Sequence, residues 1–322
     1  MGNSSLLMAL RILHTADWHL GDRLGGLDRL PDQLARLGEL MAHAEERRAD
    51  VLLVCGDVLE ESRPRQLAPI VAEVARLLRP SIERGMQCVF LKGNHDSRHT
   101  FDLLAGIQQL LGGEAGGVRF VGSPQLLTLD ADGEPAASLV ALPYPTAAAY
   151  AVETPAATLE HKQAALQQAV SERIEQLADL ADAELPDLPK AMAGHFLLRE
   201  APAATGAREV SEEEDVRVES ARLSEFAYVA LGHVHEPTVL SERVRYSGAL
   251  DRIDFGEAGQ DRHAVLVEVA GDGGLTQTEL ALDPTPMERI EVGSQFAEGL
   301  PGRTFRRGEH DSLKKGLMIA VA

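Results

Sequence analysis

Five short polar clusters punctuate this 322-residue chain, each following an apolar run: Asp17-Trp18-His19, Gly56-Asp57, Gly93-Asn94-His95-Asp96, Gly194-His195 and Gly232-His233-Val234-His235. Within them Asp17, His19, Asp57, Asn94, His195, His233 and His235 offer seven oxygen or imidazole donors. That is too many for a single four-coordinate zinc site and enough for two cations. One carboxylate bridging two metals roughly 3.5–4 Å apart clamps the attacking and leaving oxygens of an in-line phosphoryl displacement. A mixed oxygen and imidazole set without thiolate favours Mn, Fe or Zn over Mg or Ca. In Asp17-x-His19 and His233-x-His235 the outer residues are two apart, and extended backbone would aim both side chains of each pair toward a common centre. A glycine before Asp57, Asn94, His195 and His233 allows close approach of the backbone.

Taken singly, a histidine on a strand is more often a satisfied core or surface group than a ligand. As a set, the clustered histidines favour metal. His14, His43, His99, His161, His263 and His310 have no such company and read as structural or exposed. Trp18, the sole tryptophan, suits core packing under the site as well as a substrate contact.

The elements that must position these groups follow an α/β alternation in the first half. Strands are expected at Arg11–Ala16, Val51–Cys55 and Gln87–Lys92, and helices at Leu30–Arg48, Arg65–Arg84 and His99–Leu111. Each polar cluster then falls at a strand's C-terminal end, where open α/β sheets place their sites. From Gly117 the pattern turns to short strands, Val118–Val121, Gln125–Leu129 and Ser138–Leu142, closing in Pro143-Tyr144-Pro145. A long helix at Leu159–Ala181, ended by Pro186 and Pro189, precedes strands at Ala191–His195, Tyr228–Leu231, Val244–Tyr246, Ala264–Val269 and Leu275–Leu280. The acidic run Ser211-Glu212-Glu213-Glu214-Asp215 reads as a solvated loop. Residues 283–322 hold one strand-like run, Arg289–Val292, and an Arg303, Arg306, Arg307 cluster that suits a charged surface better than DNA contact; the segment has no assignable fold.

Composition bounds the rest. A net charge of −19 with 44% hydrophobic residues describes a globular chain and argues against a stand-alone nucleic-acid binder, whose affinity comes from Lys and Arg displacing counterions. No apolar run approaches the roughly 20 residues needed to cross a bilayer, and the start lacks a signal peptide's basic region and cleavage site. Met8 reads as a natural start, with residues 1–10 an N-terminal extension. Cys55 and Cys88 sit in apolar runs as small core residues of a reducing, cytoplasmic protein.

In order and spacing, the five clusters resemble the signature blocks of the calcineurin-like metallophosphoesterases, over about Arg11 to Leu280. Within that family the chain is similar to SbcD-type nuclease subunits of DNA double-strand-break repair. The residues that carry this likeness are Leu13-His14-Thr15-Ala16-Asp17-Trp18-His19-Leu20-Gly21, Ser62-Arg63-Pro64, the run Tyr228 to His235, Tyr246-Ser247-Gly248-Ala249 and Asp254-Phe255-Gly256-Glu257.

The resemblance implies an α/β chain with an αββα two-sheet sandwich over residues 11–282, an abbreviated cap-like segment at 283–322, and two Mn²⁺ per chain, with Fe, Zn or Mg as alternatives. Asp17, His19, Asp57 and His235 would hold one metal, and Asp57, Asn94, His195 and His233 the other, with Asp57 the bridge. His95 would steady the phosphate and protonate the leaving oxygen, and Asp96 would orient its imidazole. Arg63, on the rim of the cleft, and Glu60, where relatives carry Asp or His, are the substrate-binding candidates. The expected activity is a Mn²⁺-dependent DNA exo/endonuclease needing an SbcC-like ATPase subunit or a homodimer for grip. A phosphodiesterase or phosphatase for small nucleotides is the alternative, and a scaffold that keeps its metal site only as structure is a third reading.

Overall fold

Short continuous apolar runs, buried on both faces, build two sheets here, and residues recurring with the helical period build the layers that cover them. The computed structural model describes residues 9–24, 26–60, 64–110, 117–153, 158–201, 216–218, 223–290, 304–309 and 316–321.

Along the chain, β1 (Leu10–Thr15) is followed by a small ribbon, β2 (Arg23–Leu24) and β3 (Leu27–Asp28), then α1 (Leu30–Glu46), β4 (Val51–Val54), α2 (Pro64–Glu83), β5 (Gln87–Leu91), α3 (Arg98–Leu110) and β6 (Val118–Val121). The second half continues with β7 (Gln125–Ala131), β8 (Glu134–Leu142), α4 (Leu159–Glu184), β9 (Lys190–His195), β10 (Leu197–Leu198), β11 (Arg217–Val218), β12 (Tyr228–Gly232), β13 (Thr238–Val239) and β14 (Val244–Tyr246). It closes with β15 (Arg262–Val269), β16 (Leu275–Leu282), β17 (Met287–Ile290), β18 (Thr304–Glu309) and β19 (Gly316–Val321).

Two mixed six-stranded sheets result, ordered β16-β15-β1-β4-β5-β6 and β13-β14-β12-β9-β8-β7. β1, β4, β5 and β6 run parallel, as βαβ connections require, while β15 pairs antiparallel with β1 and β16 antiparallel with β15 at the edge. In the second sheet β8, β9, β12 and β14 are parallel, with β7 and β13 antiparallel at the edges.

The pleat decides which side chains meet. Ile12, Val51, Leu53, Val89 and Leu91 face Leu139, Ala141, Ala191, Ala193 and Ala230 between the sheets. Their neighbours Leu13, Leu52, Val54, Cys88 and Phe90 point outward under α1, α2 and α3. Val140, Met192, Val229 and Leu231 point the other way, under Val170, Ile174 and Leu177 of α4. The order is helices, sheet, sheet, helix. Alanines on the inner face of the second sheet set against branched aliphatics on the first fill the gap without overpacking.

The expected elements appear with ends moved by one to a few residues, and the structure adds short strands that no pattern announces. β8 begins four residues before the expected strand, and α4 runs past Ala181 to Glu184. Residues beyond 283, without an assignable fold in the sequence, contribute a three-stranded sheet ordered β17-β19-β18, in which β17 and β19 are parallel. Residues 1–8, the acidic run 211–215 and Arg303 lie outside the described residues. Cys55 and Cys88 are buried free thiols. No helix among the described residues is long and apolar enough to cross a membrane.

The sheets meet most closely at glycine. A Cβ on Gly232 would sit 1.9 Å from the Cys55 carbonyl oxygen, whereas one on Gly38 of α1 would meet nothing within 4 Å. Gly232→Ala is therefore expected to lower unfolding free energy by about 3 kcal/mol in urea titrations, and Gly38→Ala to raise it by about 0.5–1 kcal/mol. Equal effects of the two substitutions would contradict this packing.

Candidate metal centre

The strand ends of both sheets converge on one buried cluster. Asp17 and His19 follow β1, Asp57 follows β4, Asn94, His95 and Asp96 follow β5, His195 ends β9, and His233 and His235 follow β12. Asp17, His19, Asp57, Asp96 and His195 are buried.

The backbone departs from extended geometry here. Asp17 (φ 51°), His19 (φ 44°), Asp57 (φ 51°) and His233 (φ 89°) all adopt left-handed conformations, which cost roughly 1–3 kcal/mol each outside glycine. Hydrogen bonds between loops hold them: Asp17 N–H donates to the Gly56 carbonyl at 3.0 Å and His19 N–H to the Asp57 carbonyl at 2.9 Å. The His233 N–H donates to the Asp17 carboxylate at 3.0 and 3.1 Å. The expectation that two-residue spacing in extended backbone aims each pair at one centre is thus corrected: tight turns do the aiming, and the pair His233 and His235 diverges.

The result is a cluster with two lobes. In one, ligand atoms of Asp17, His19 and His235 lie within 4.8 Å of one another, those of Asp17, Asp57 and His195 form a second such group, and those of His19, Asp57 and His95 a third beside the first. The His195 and His233 rings are 5.1 Å apart, and the Asn94 side-chain oxygen sits 2.9 Å from His195 Nε2 and 3.1 Å from His233 Nδ1. Asp57 lies between the lobes. Its Oδ2 is 3.7 Å from His19 Nε2 and 3.4 Å from His195 Nε2, while its Oδ1 accepts the His95 N–H at 2.8 Å. Gly93 makes room, since a Cβ there would fall 2.0 Å from Asp57 Oδ1. All seven predicted donors are brought together.

Charge makes the same point. Burial works against an ionised Asp57, yet His195, His19 and His95 hold its carboxyl well below the usual range. Burial also works against a charged His195, and Asp57 and Asp17 nevertheless push it up to about 9. His19 Nε2 is buried and makes no hydrogen bond, an arrangement costing about 1–3 kcal/mol unless something else occupies that lone pair. Carboxylate and imidazole donors around such an atom suit a divalent cation of the Mn, Fe or Zn type.

The outer contacts revise two expectations. Asp96 does not orient His95: its carboxylate accepts the N–H groups of Val58 (3.2 Å), Leu59 (2.8 Å) and Gly93 (2.8 Å), tying the β4 and β5 loops together. Burial and the neighbouring Asp57 charge push Asp96 up to about 6 despite those donors. Glu60 is the carboxylate that faces His95, with Oε2 3.0 Å from His95 Nδ1 and 3.0 Å from His19 Nδ1. Burial opposes its charge, but the two histidines hold it well below the usual carboxylate range. Trp18 packs in the core, its ring edge-on to Phe90 at 5.8 Å. Arg63 lies outside the described residues.

Sequence reasoning assigned no role to two further neighbours. Tyr144, held between two prolines, sets its ring 5.8 Å from that of His233 and 6.1 Å from that of His195. Glu257 is fully buried with Oε1 2.9 Å from His235 Nδ1. Its 22-residue separation from His235 carries no periodic signal; its place in Asp254-Phe255-Gly256-Glu257, one of the runs that carry the family likeness, is the hint the sequence offers.

A cation entering this cluster would compete with protons on its imidazoles. Because His195 is raised to about 9, apparent affinity for Mn²⁺ should climb as pH rises from 6 toward 9 and level off above it. Calorimetric titrations at pH 6, 7.5 and 9 check this; a flat profile would contradict it.

Comparison with known proteins sets these residues in context. The family model described as calcineurin-like phosphoesterase matches residues 10–237. The D subunit of the nuclease SbcCD from Rhodobacter capsulatus is 30% identical over 311 residues, 91% of this chain and 74% of that protein. The protein of the same name from Staphylococcus epidermidis is 26% identical over 294 residues, 88% of this chain and 72% of its own. Among solved structures, a dimetal phosphatase from Danio rerio aligns with a TM-score of 0.48 at 13% identity, covering 86% of this chain and 100% of that one.

Proposed function

Since the chain belongs to the calcineurin-like phosphoesterase family, and is thus a metal-dependent phosphoesterase, we propose that it is a Mn²⁺-dependent phosphodiesterase acting on DNA, an exo/endonuclease of the SbcD type serving double-strand-break repair in the cytoplasm. The observation that carries the substrate class is the likeness to a nuclease subunit along 91% of the chain. The chemistry rests on the cluster itself. In this reading residues 11–282 form the phosphoesterase unit and residues 283–322 an abbreviated cap.

Asp17, His19, Asp57 and His235 would hold one cation, and Asp57, Asn94, His195 and His233 the other. Bound there, two divalent cations neutralise the charge that builds on a phosphate during displacement. The protein supplies the remaining steps. Asp57, whose Oδ2 lies between His19 and His195, would be the ligand common to both cations. His95 is partly open to solvent, with 24% of its side chain exposed, and reaches the departing sugar oxygen to deliver a proton. Glu60 binds His95 Nδ1, leaving the opposite nitrogen of the ring to carry that proton. Asp96 holds the loop bearing His95 against the loop after β4.

With a net charge of −19, the chain grips DNA weakly by itself, and an SbcC-like ATPase subunit or a second copy supplies the phosphate contacts. The same charge favours the second reading, a phosphodiesterase for small nucleotides that needs no basic groove. Salt separates the two. Cleavage of linear duplex or single-stranded DNA with Mn²⁺ should fall steeply between 50 and 200 mM salt, while hydrolysis of a chromogenic phosphodiester should stay nearly constant. Hydrolysis of the small diester with no DNA cleavage under any salt would overturn the nuclease reading.

His95→Ala should lower turnover by about 10²–10⁴-fold with metal content unchanged, measured by elemental analysis beside the rate. Loss of metal together with activity would make His95 a ligand instead.

A further inference from the structure

A carboxylate with no solvent exposure, Glu257, sits behind the cluster. It ends a short 3-10 turn, Phe255–Glu257, whose start is capped by the Asp254 side chain accepting the Gly256 N–H. Its two oxygens divide their work. Oε2 accepts the Ile253 N–H at 2.8 Å and the Arg262 guanidinium at 2.5 Å. Oε1 faces His235 Nδ1, at 2.9 Å. Arg262 has no exposed side-chain surface and is itself anchored by the Gln260 side chain at 3.0 Å and the Asp261 carbonyl at 3.2 Å. The acceptor is therefore fixed before any ligand arrives.

We propose that Glu257 is a positioning residue that holds His235 in the Nδ1–H tautomer and turns its Nε2 lone pair toward Asp17 and His19, so that the lobe formed by these three residues can take its divalent cation. The inference rests on the dimetal reading above. An imidazole whose far nitrogen is tied to a rigid acceptor keeps its ring plane and tautomer, and loss of such a partner typically weakens metal affinity by about 10- to 100-fold.

The effect belongs to one lobe. In the other, His195 Nδ1 is fixed by the backbone carbonyl of Cys55 at 2.6 Å, which no change at Glu257 removes. The Arg262 pair explains why Glu257 can stay charged when buried, but not why Oε1 is aimed at a ring nitrogen next to the cluster. A purely structural ion pair would need Oε2 alone.

The test is Mn²⁺ titration of wild type and Glu257→Gln, followed by electron paramagnetic resonance of the free ion. Wild type should take two equivalents. Glu257→Gln should bind one equivalent at wild-type affinity and the second about 10- to 100-fold more weakly, and adding the substitution to a His235→Ala chain should weaken binding no further. Two equivalents bound equally by wild type and Glu257→Gln would overturn the role of Glu257 while leaving the dimetal reading intact. Failure of wild type to bind any divalent ion would overturn both. Should Glu257→Gln not fold, nitrogen-15 spectra of the metal-free wild type decide: the Nδ1–H tautomer at His235 supports the proposal, and the Nε2–H tautomer overturns it.

Discussion

One buried carboxylate governs the architecture. Asp57 lies between two sheets with its side chain almost out of reach of water, where an unpaired charge would be prohibitive. It stays ionised because imidazoles from both sheets face it: His19 and His95 from the first, His195 from the second. The two halves of the chain are thus joined by more than apolar packing. Gly56, Gly93 and Gly232 stand at points where any Cβ would fall within about 2 Å of a neighbouring side chain or carbonyl, and they let the strand ends close on that carboxylate. Removing the charge would leave three imidazoles without their partner, and separating the sheets would leave the charge without its imidazoles.

The strained backbone follows from the same constraint. Four left-handed residues at strand ends are tolerated because loop-to-loop hydrogen bonds tie the turns together, and the cost is met by the apolar core between and outside the sheets. The polar shell extends outward by the same logic. Glu60 serves His19 and His95, Asp96 gathers three backbone N–H groups, and Glu257 serves His235. The clustered side chains are held in turn by the carboxylates around them.

Much of this is legible in the sequence, for physical reasons. Apolar runs ending in Gly-Asp, Gly-Asn-His and Gly-His mark strand termini, so the residue types and their spacing suffice to single out the seven side chains that the structure brings together. The four layers are implied by the family resemblance, and the structure realises them with Ile12 and Leu13, or Met192 and Ala193, facing opposite ways. What the sequence hides is non-local. Nothing in Asp17-x-His19 announces positive φ, so the divergence of His233 and His235 is invisible there. Asp96 stands beside His95 in sequence and suggests a partner, whereas the actual carboxylate, Glu60, comes from the loop after β4. The C-terminal strands pair Met287–Ile290 with Gly316–Val321 across an intervening segment, and single-sequence periodicity cannot foresee such a parallel pairing.

The central claim is that two cations share Asp57. Crystals grown with Mn²⁺ and measured at the manganese absorption edge test it directly. The account predicts two anomalous peaks roughly 3.5–4 Å apart, one on the His19 and His235 side of the Asp57 carboxylate and one on the His195 and His233 side. A single peak, or metal bound away from Asp57, would contradict it.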